Sequence, residues 1–156
     1  MKKLICKSTI IHSLLIGFLC TTLFSFSDEP GAHSFEISLN NNVVLQGYIN
    51  DKTEVPNLSL NQEADQDQLS LNYSHCGQMG TARHIIIKDG SDKVLKVWNF
   101  DDDAPGVKNQ MTCKVKDIVA LSNGHNSLNL FYSSKELTKD QILASIQLVT
   151  KTASNK

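Results

Sequence analysis

Residues 82–100 read ARHIIIKDGSDKVLKVWNF, and this stretch decides the fold class. Two runs rich in β-branched and aromatic residues, 82–88 and 94–100, flank a short segment that contains Asp, Gly and Ser. Such runs are typical of β-strands, and an Asp-Gly pair is typical of a tight turn. The stretch therefore predicts a β-hairpin.

The second run of this hairpin is apolar on both sides. Trp98 and Phe100 share one face of the predicted strand, and two aliphatic residues share the other. We expect a strand that is buried on both faces or covered by a loop. The alternative is an exposed aromatic platform, which Tyr48 and Tyr132 could extend.

Alternation of apolar and polar residues predicts further strands on both sides of the hairpin. The polar connection at 50–68 contains a proline and allows at most a short strand at 58–60. A short helical turn is expected at 117–124, where apolar positions precede a glycine. The remaining predicted strands are 33–40, 43–49, 69–74, 111–115 and 127–134.

The C-terminal segment has two interpretations. Residues 138–141 could form the capping box of a helix. The apolar residues at 142, 144, 146 and 148 share one face at period two, which favours a closing strand, and we predict the strand. Seven or eight short strands with at most one short helical turn predict an all-β fold. An antiparallel β-sandwich of immunoglobulin-like or related topology is expected, with a small barrel as the alternative.

The N-terminus has the three parts of a secretory signal peptide. Three lysines precede an apolar run at 10–24, and small residues precede Asp28. The run is shorter than the ~20 residues that span a bilayer, which disfavours an uncleaved membrane anchor. We expect a signal peptide at 1–27 and a single domain at 28–156. The protein is then secreted or periplasmic, with no stable membrane insertion after cleavage.

The charge balance limits the partners. Beyond residue 27 the chain carries 12 basic and 16 acidic residues, a net charge near −4, and the basic residues form no cluster. A mildly acidic chain without a basic patch offers no electrostatic surface for nucleic acid or for an anionic membrane. We therefore predict no nucleic-acid partner.

Cysteine usage fits an exported protein. Cys6 and Cys20 leave with the signal peptide, and Cys76 and Cys113 remain. Two cysteines in an oxidising compartment predict one disulfide. Such a bond would stabilise the fold by about 4 kcal/mol on the chain-entropy model.

A metal site is the competing interpretation of the cysteine region. The side chains of His75, Cys76, Met79 and His84 are those of a blue-copper centre. Adjacent residues of an extended strand point to opposite faces, so the first two reach one ion only if the chain turns between them. Copper would also leave Cys113 without a partner. We predict a strand and a turn here, with no metal and no cofactor.

Catalytic signatures are absent from the sequence. It contains no nucleophile elbow, phosphate loop, dinucleotide fingerprint or metalloprotease motif. The acidic run at 101–103 could bind calcium, but three consecutive carboxylates cannot all face one ion, and a solvated turn is expected. The chain is therefore predicted to be a non-enzymatic binding module or envelope accessory subunit that recognises a protein or a glycan. The alternative is a small copper-type redox protein.

Overall fold

The structure is a computed structural model that describes residues 33–49, 54–63, 65–78, 80–102, 110–122 and 127–150. The predicted signal peptide at 1–27 lies outside these residues. The described part contains nine strands and one short helix. They are β1 (His33–Leu39), β2 (Asn42–Ile49), β3 (Asn57–Asn61), β4 (Gln68–Ser74), β5 (Arg83–Asp89), β6 (Val94–Phe100), β7 (Met111–Lys114), α1 (Val115–Ala120), β8 (Leu128–Ser133) and β9 (Gln141–Val149).

The strands form a two-layer sandwich, which confirms the predicted all-β fold class. A four-stranded sheet, sheet A, has the order β2-β1-β4-β7, and a five-stranded sheet, sheet B, has the order β3-β9-β8-β5-β6. All strand pairs are antiparallel except β3 with β9, which is parallel. The segment at 58–60 is thus a full edge strand of sheet B, and it raises the strand count above the predicted seven or eight.

The hairpins follow the turn chemistry of the sequence. Asn40 and Asn41 join β1 to β2 with φ angles of 51° and 66°, the left-handed backbone that a two-residue type I′ turn requires. The side chain of Asn40 also accepts a hydrogen bond from the Gln68 backbone N–H at 3.0 Å, which ties the turn to β4. The predicted hairpin at 82–100 is confirmed as β5 and β6.

The core lies between the two sheets. Alternate residues of the strands point inward, as the period-two pattern requires. Ile37 and Leu71 of sheet A and Ile85 and Leu130 of sheet B have no exposed surface. Helix α1 covers one end, where Ile118 is fully buried.

The C-terminal segment is strand β9, as predicted, and its side chains Leu143, Ala144 and Ile146 are buried. The helical turn expected at 117–124 begins earlier, at Val115, and ends at Ala120. No helix in the described part of the chain is long and apolar enough to cross a membrane.

The prediction for 94–100 was wrong in one respect. β6 is an edge strand of sheet B, and only one of its faces packs inward. Trp98 and Phe100 are half-buried against the core, whereas Val94 and Val97 of the same strand are exposed. Tyr132 is fully buried. Trp98, Phe100 and Tyr132 therefore do not form an exposed aromatic platform with Tyr48. Of these four residues, only Tyr48 is exposed.

Candidate functional site

The segment 75–78 is a tight turn, as the sequence predicts. His75 and Gln78 exchange two backbone hydrogen bonds of 2.8 and 3.0 Å. The residues between them, Cys76 and Gly77, have φ angles of 55° and 86°, which are those of a type I′ turn. Cys76 adopts this backbone at a cost of about 1 kcal/mol, because its Cβ crowds the following carbonyl.

The predicted disulfide between Cys76 and Cys113 is not present in the structure. Cys113 lies on β7 opposite Leu69, near the start of β4. Cys76 follows the other end of β4, seven residues further along. At ~3.3 Å per residue this separates them by roughly 20 Å, whereas the Cα atoms of a disulfide lie within about 7 Å.

The two thiols differ in their surroundings, and this difference can be measured. Cys113 is buried, and burial together with the negative charge of Asp117 raises its pKa to about 12. Cys76 lies at the surface. We expect a thiol reagent to modify Cys76 alone in the reduced, folded chain lacking residues 1–27, and to modify both cysteines in denaturant. Fast modification of both in the folded state would contradict the burial of Cys113.

Beside this turn, side chains of both sheets form a cluster that we call the histidine cluster: His33, Tyr73, His75, Tyr132, Ser134 and Glu136. Tyr73, His75, Tyr132 and Ser134 are buried, His33 is half-buried and Glu136 lies at the surface. The Tyr73 and Tyr132 rings come from opposite sheets and stack with centroids 4.0 Å apart. His75 Nε2 lies 3.1 Å from the hydroxyl of Tyr132 and 3.1 Å from that of Ser134. The cluster therefore joins the two sheets with polar contacts.

A carboxylate closes the histidine cluster on its solvent side. Glu136 Oε2 lies 4.0 Å from His75 Nε2. Burial acts to raise the pKa of Glu136, but hydrogen bonds from Thr81 and Ser134 outweigh it and lower the pKa to about 2. Thr81 supplies both its backbone N–H, at 3.0 Å, and its hydroxyl, at 2.7 Å. These hydrogen bonds connect Thr81, which precedes β5, to the segment that follows β8.

Burial favours the uncharged forms of two side chains in the histidine cluster, His75 and Tyr73. It lowers the pKa of His75, with a further lowering from His33, and the nearby Glu136 carboxylate opposes the shift. Burial also raises the pKa of Tyr73 to about 12, with Tyr132 and Cys76 adding to the effect. At neutral pH the imidazole and the phenol are therefore both uncharged.

The Ser134–His75–Glu136 set does not have the geometry of a hydrolytic triad. In a triad the carboxylate holds one ring nitrogen and the serine faces the other. Here Ser134 and Glu136 both lie beside Nε2, and Nδ1 makes no hydrogen bond within the described residues. Within the described residues a proton on the buried Nδ1 would have no acceptor, which favours the neutral tautomer with the proton on Nε2. In that tautomer Nε2 cannot accept the serine proton.

The predicted alternative copper ligands are not brought together. His75 points into the core, where it contacts Tyr132. His84 alternates with the core residue Ile85 on β5, so it faces the outer side of sheet B. Met79 lies outside the described residues. Among the residues described, no group of three or more His, Cys, Asp or Glu side chains is placed to hold a metal ion.

The acidic run after β6 has structural contacts. The Asp102 carboxylate accepts the Ala82 backbone N–H at 2.6 Å, and the Asp101 carbonyl accepts a guanidinium N–H of Arg83 at 2.7 Å. Asp103 lies outside the described residues. These contacts hold the start of β5, and they give the Asp102 carboxylate a structural role.

The outer face of sheet A carries a second candidate site, an open groove of about 600 Å³ that we call the polar groove. It lies across β2, β1 and β4. The side chains that project outward into it are mostly polar and uncharged, and the rings of Phe35 and Tyr73 add apolar surface. The side chains that form it are Ser34, Glu36, Gln46, Tyr48, Asn72 and Ser74.

Strand register arranges these side chains in two rows. Glu36 on β1 lies opposite Gln46 on β2 and opposite Asn72 on β4. Two residues away, Ser34 lies opposite Tyr48 and Ser74, and this is the second row. Strands lie ~4.8 Å apart, so each row spans about 10 Å.

The two rows differ in chemistry. In the first, the Asn72 amide donates to Glu36 at 3.5 Å, a long hydrogen bond that leaves lone pairs of the carboxylate available. In the second, the side chain of Tyr48 is 68% exposed at the rim of the groove. The polar groove thus offers carboxylate, amide and hydroxyl groups beside one exposed ring.

Sequence reasoning identified only part of these two sites. It singled out His75 and Tyr48, but it did not connect His75 with Tyr132, Ser134 and Glu136, which lie 57 or more positions away. One feature of the sequence could have indicated the polar groove, because its side chains occupy the polar positions of the predicted alternating strands. No protein-family model matches the chain, and neither a curated protein nor a solved structure matches it.

Proposed function

We propose that this chain is an exported, non-enzymatic binding module and that its polar groove binds a glycan. Sugars expose C–H faces that pack on aromatic rings and hydroxyl groups that exchange hydrogen bonds with amides and carboxylates. The observation that carries the proposal is the exposed Tyr48 ring beside the Gln46–Glu36–Asn72 row.

The size and openness of the groove support the same ligand class. A groove of about 600 Å³ lies within the range of small-molecule sites. Its lining combines polar side chains with the rings of Phe35, Tyr48 and Tyr73, which matches the hydroxyl groups and the C–H faces of a sugar. Rows of about 10 Å suit an elongated ligand that lies across three strands. The export that we predict from residues 1–27 would bring the groove to extracytoplasmic glycans.

The proposal is tested by titrating the exported protein with an array of soluble oligosaccharides and measuring the affinity of any that bind. Tyr48→Ala should weaken binding about tenfold, since an aromatic contact contributes ~1.5 kcal/mol. Tyr48→Phe should retain most of the affinity, because it keeps the ring. Asn72→Ala should weaken binding too.

Val97→Ala is the matched control, because Val97 is exposed on the other sheet. Its affinity should equal that of the unmodified chain. Absence of binding to every glycan on the array, or binding that Tyr48→Ala and Asn72→Ala leave unchanged, would overturn the proposal.

A further inference from the structure

Within the described residues, strand β2 is an edge of sheet A and pairs on one side only, with β1. Its eight residues, NVVLQGYI, include no charged residue and no proline. Val43, Val44 and Tyr48 are 52%, 46% and 68% exposed. Soluble proteins usually protect a sheet edge with charge, proline, a bulge or short length.

The opposite edge of sheet A is protected by its short length, whereas β2 has a single bulge, near its start. β7 has only four residues and leads directly into α1. On β2 the register shifts once, at Val44, so that Leu45–Ile49 remains a regular stretch with an open side. A strand of another chain can hydrogen-bond to this stretch.

We propose that the occupant is a second copy of this chain, which pairs antiparallel with β2 over residues 45–49. The faces of the strand limit the register. Leu45, Gly47 and Ile49 lie opposite the inward-facing residues of β1, and Gln46 and Tyr48 face outward. Only a pairing that keeps inner residues opposite inner residues continues the sheet.

One two-fold arrangement satisfies this condition over the whole stretch. Gly47 lies on the axis opposite Gly47 of the second copy. Leu45 then lies opposite Ile49, and Gln46 lies opposite Tyr48, each pair occurring twice by symmetry. The result is one continuous sheet of eight strands across the two copies.

The surface beside β2 matches the side chains that such a copy would bring. A groove of about 180 Å³ opens on the inner side of the edge. Its lining is mainly apolar and includes Leu45, Ile49, Val55 and Leu143, with Glu54 and Gln141 among its polar members. The inner side chains of a second β2 are Leu45 and Ile49, which are apolar too. The uncharged strand also brings no like charges together, although the chain is acidic overall.

The test measures the mass of the exported protein by sedimentation, without any glycan, from low to high concentration. The unmodified chain should shift from one to two copies. Gln46→Lys with Tyr48→Lys puts four positive charges on one face of the strand pair and should give a single copy at every concentration.

The matched variant combines Gln46→Lys with Tyr48→Glu. In the proposed register each lysine then lies opposite a glutamate of the other copy, so the double mass should return. Both positions are exposed, so circular dichroism should show the same fold for all three proteins. A folded chain that stays single at all concentrations would overturn the proposal, even if it captures a strand from another protein. Pairing that survives four lysines, or that the lysine–glutamate variant fails to restore, would overturn the register and the proposal with it.

Discussion

Gly80→Ala should lower the free energy of unfolding by about 3 kcal/mol, because the site has no room for a methyl group. A Cβ at this position would lie 2.7 Å from His75 Nε2 and 3.0 Å from Glu136 Oε2, and closer still to the Tyr132 hydroxyl. Tyr132 is fully buried and cannot move aside without disturbing the core. Chemical denaturation of the purified chain measures the loss.

The rescue variant tests the stated cause. Adding Tyr132→Phe to Gly80→Ala removes the hydroxyl nearest to the new methyl group. Part of the lost stability should return, although Tyr132→Phe alone removes a hydrogen bond to His75 and should destabilise the chain. If the double variant is less stable than Gly80→Ala, the clash with Tyr132 is not the cause.

Mild acid should destabilise the fold through His75. Its folded-state pKa lies below the ordinary 6.5, so the fold favours the neutral ring. The stability that this preference contributes is fully present above pH ~6.5 and is lost as the pH falls through the lowered folded-state pKa. The groups that face the ring are His33, Tyr73, Tyr132 and Glu136, and only Glu136 favours its protonation.

His75→Gln provides the control for this prediction, because glutamine keeps a polar group near the hydroxyls but does not titrate. Unfolding free energies measured from pH 7.5 to 5 should fall less steeply in this variant than in the unmodified chain. An unchanged slope would show that other groups cause the acid response. Glu136 acts in a separate range, since its contribution is present above pH 4.5 and is lost as the pH falls toward 2.

Local sequence patterns predicted the fold class, but they did not predict how distant strands pair. Period-two alternation is a local property, and it located the strands and favoured β9 over a helix. The parallel pairing of β3 with β9 depends on which edge of sheet B remains open after the other strands have paired, and no short pattern records this.

The disulfide shows how a compositional argument fails. Two cysteines in an exported chain are compatible with one bond, but the distance between them depends on strand register. Leu69 lies opposite Cys113, and this pairing places Cys76 at the far end of β4. The register arises from long-range packing of the two sheets, which the cysteine count does not encode.

The parallel pair of strands at the edge of sheet B has a consequence for the order of assembly. Among the strands that the structure describes, β3 pairs only with β9, and Asn57 lies opposite Ser145, which is synthesised 88 residues later. Leu58 and Leu60 can therefore be buried only after β9 has been synthesised. A nascent or truncated chain that ends before β9 would keep these leucines in water, so sheet B is completed only after β9 has been made.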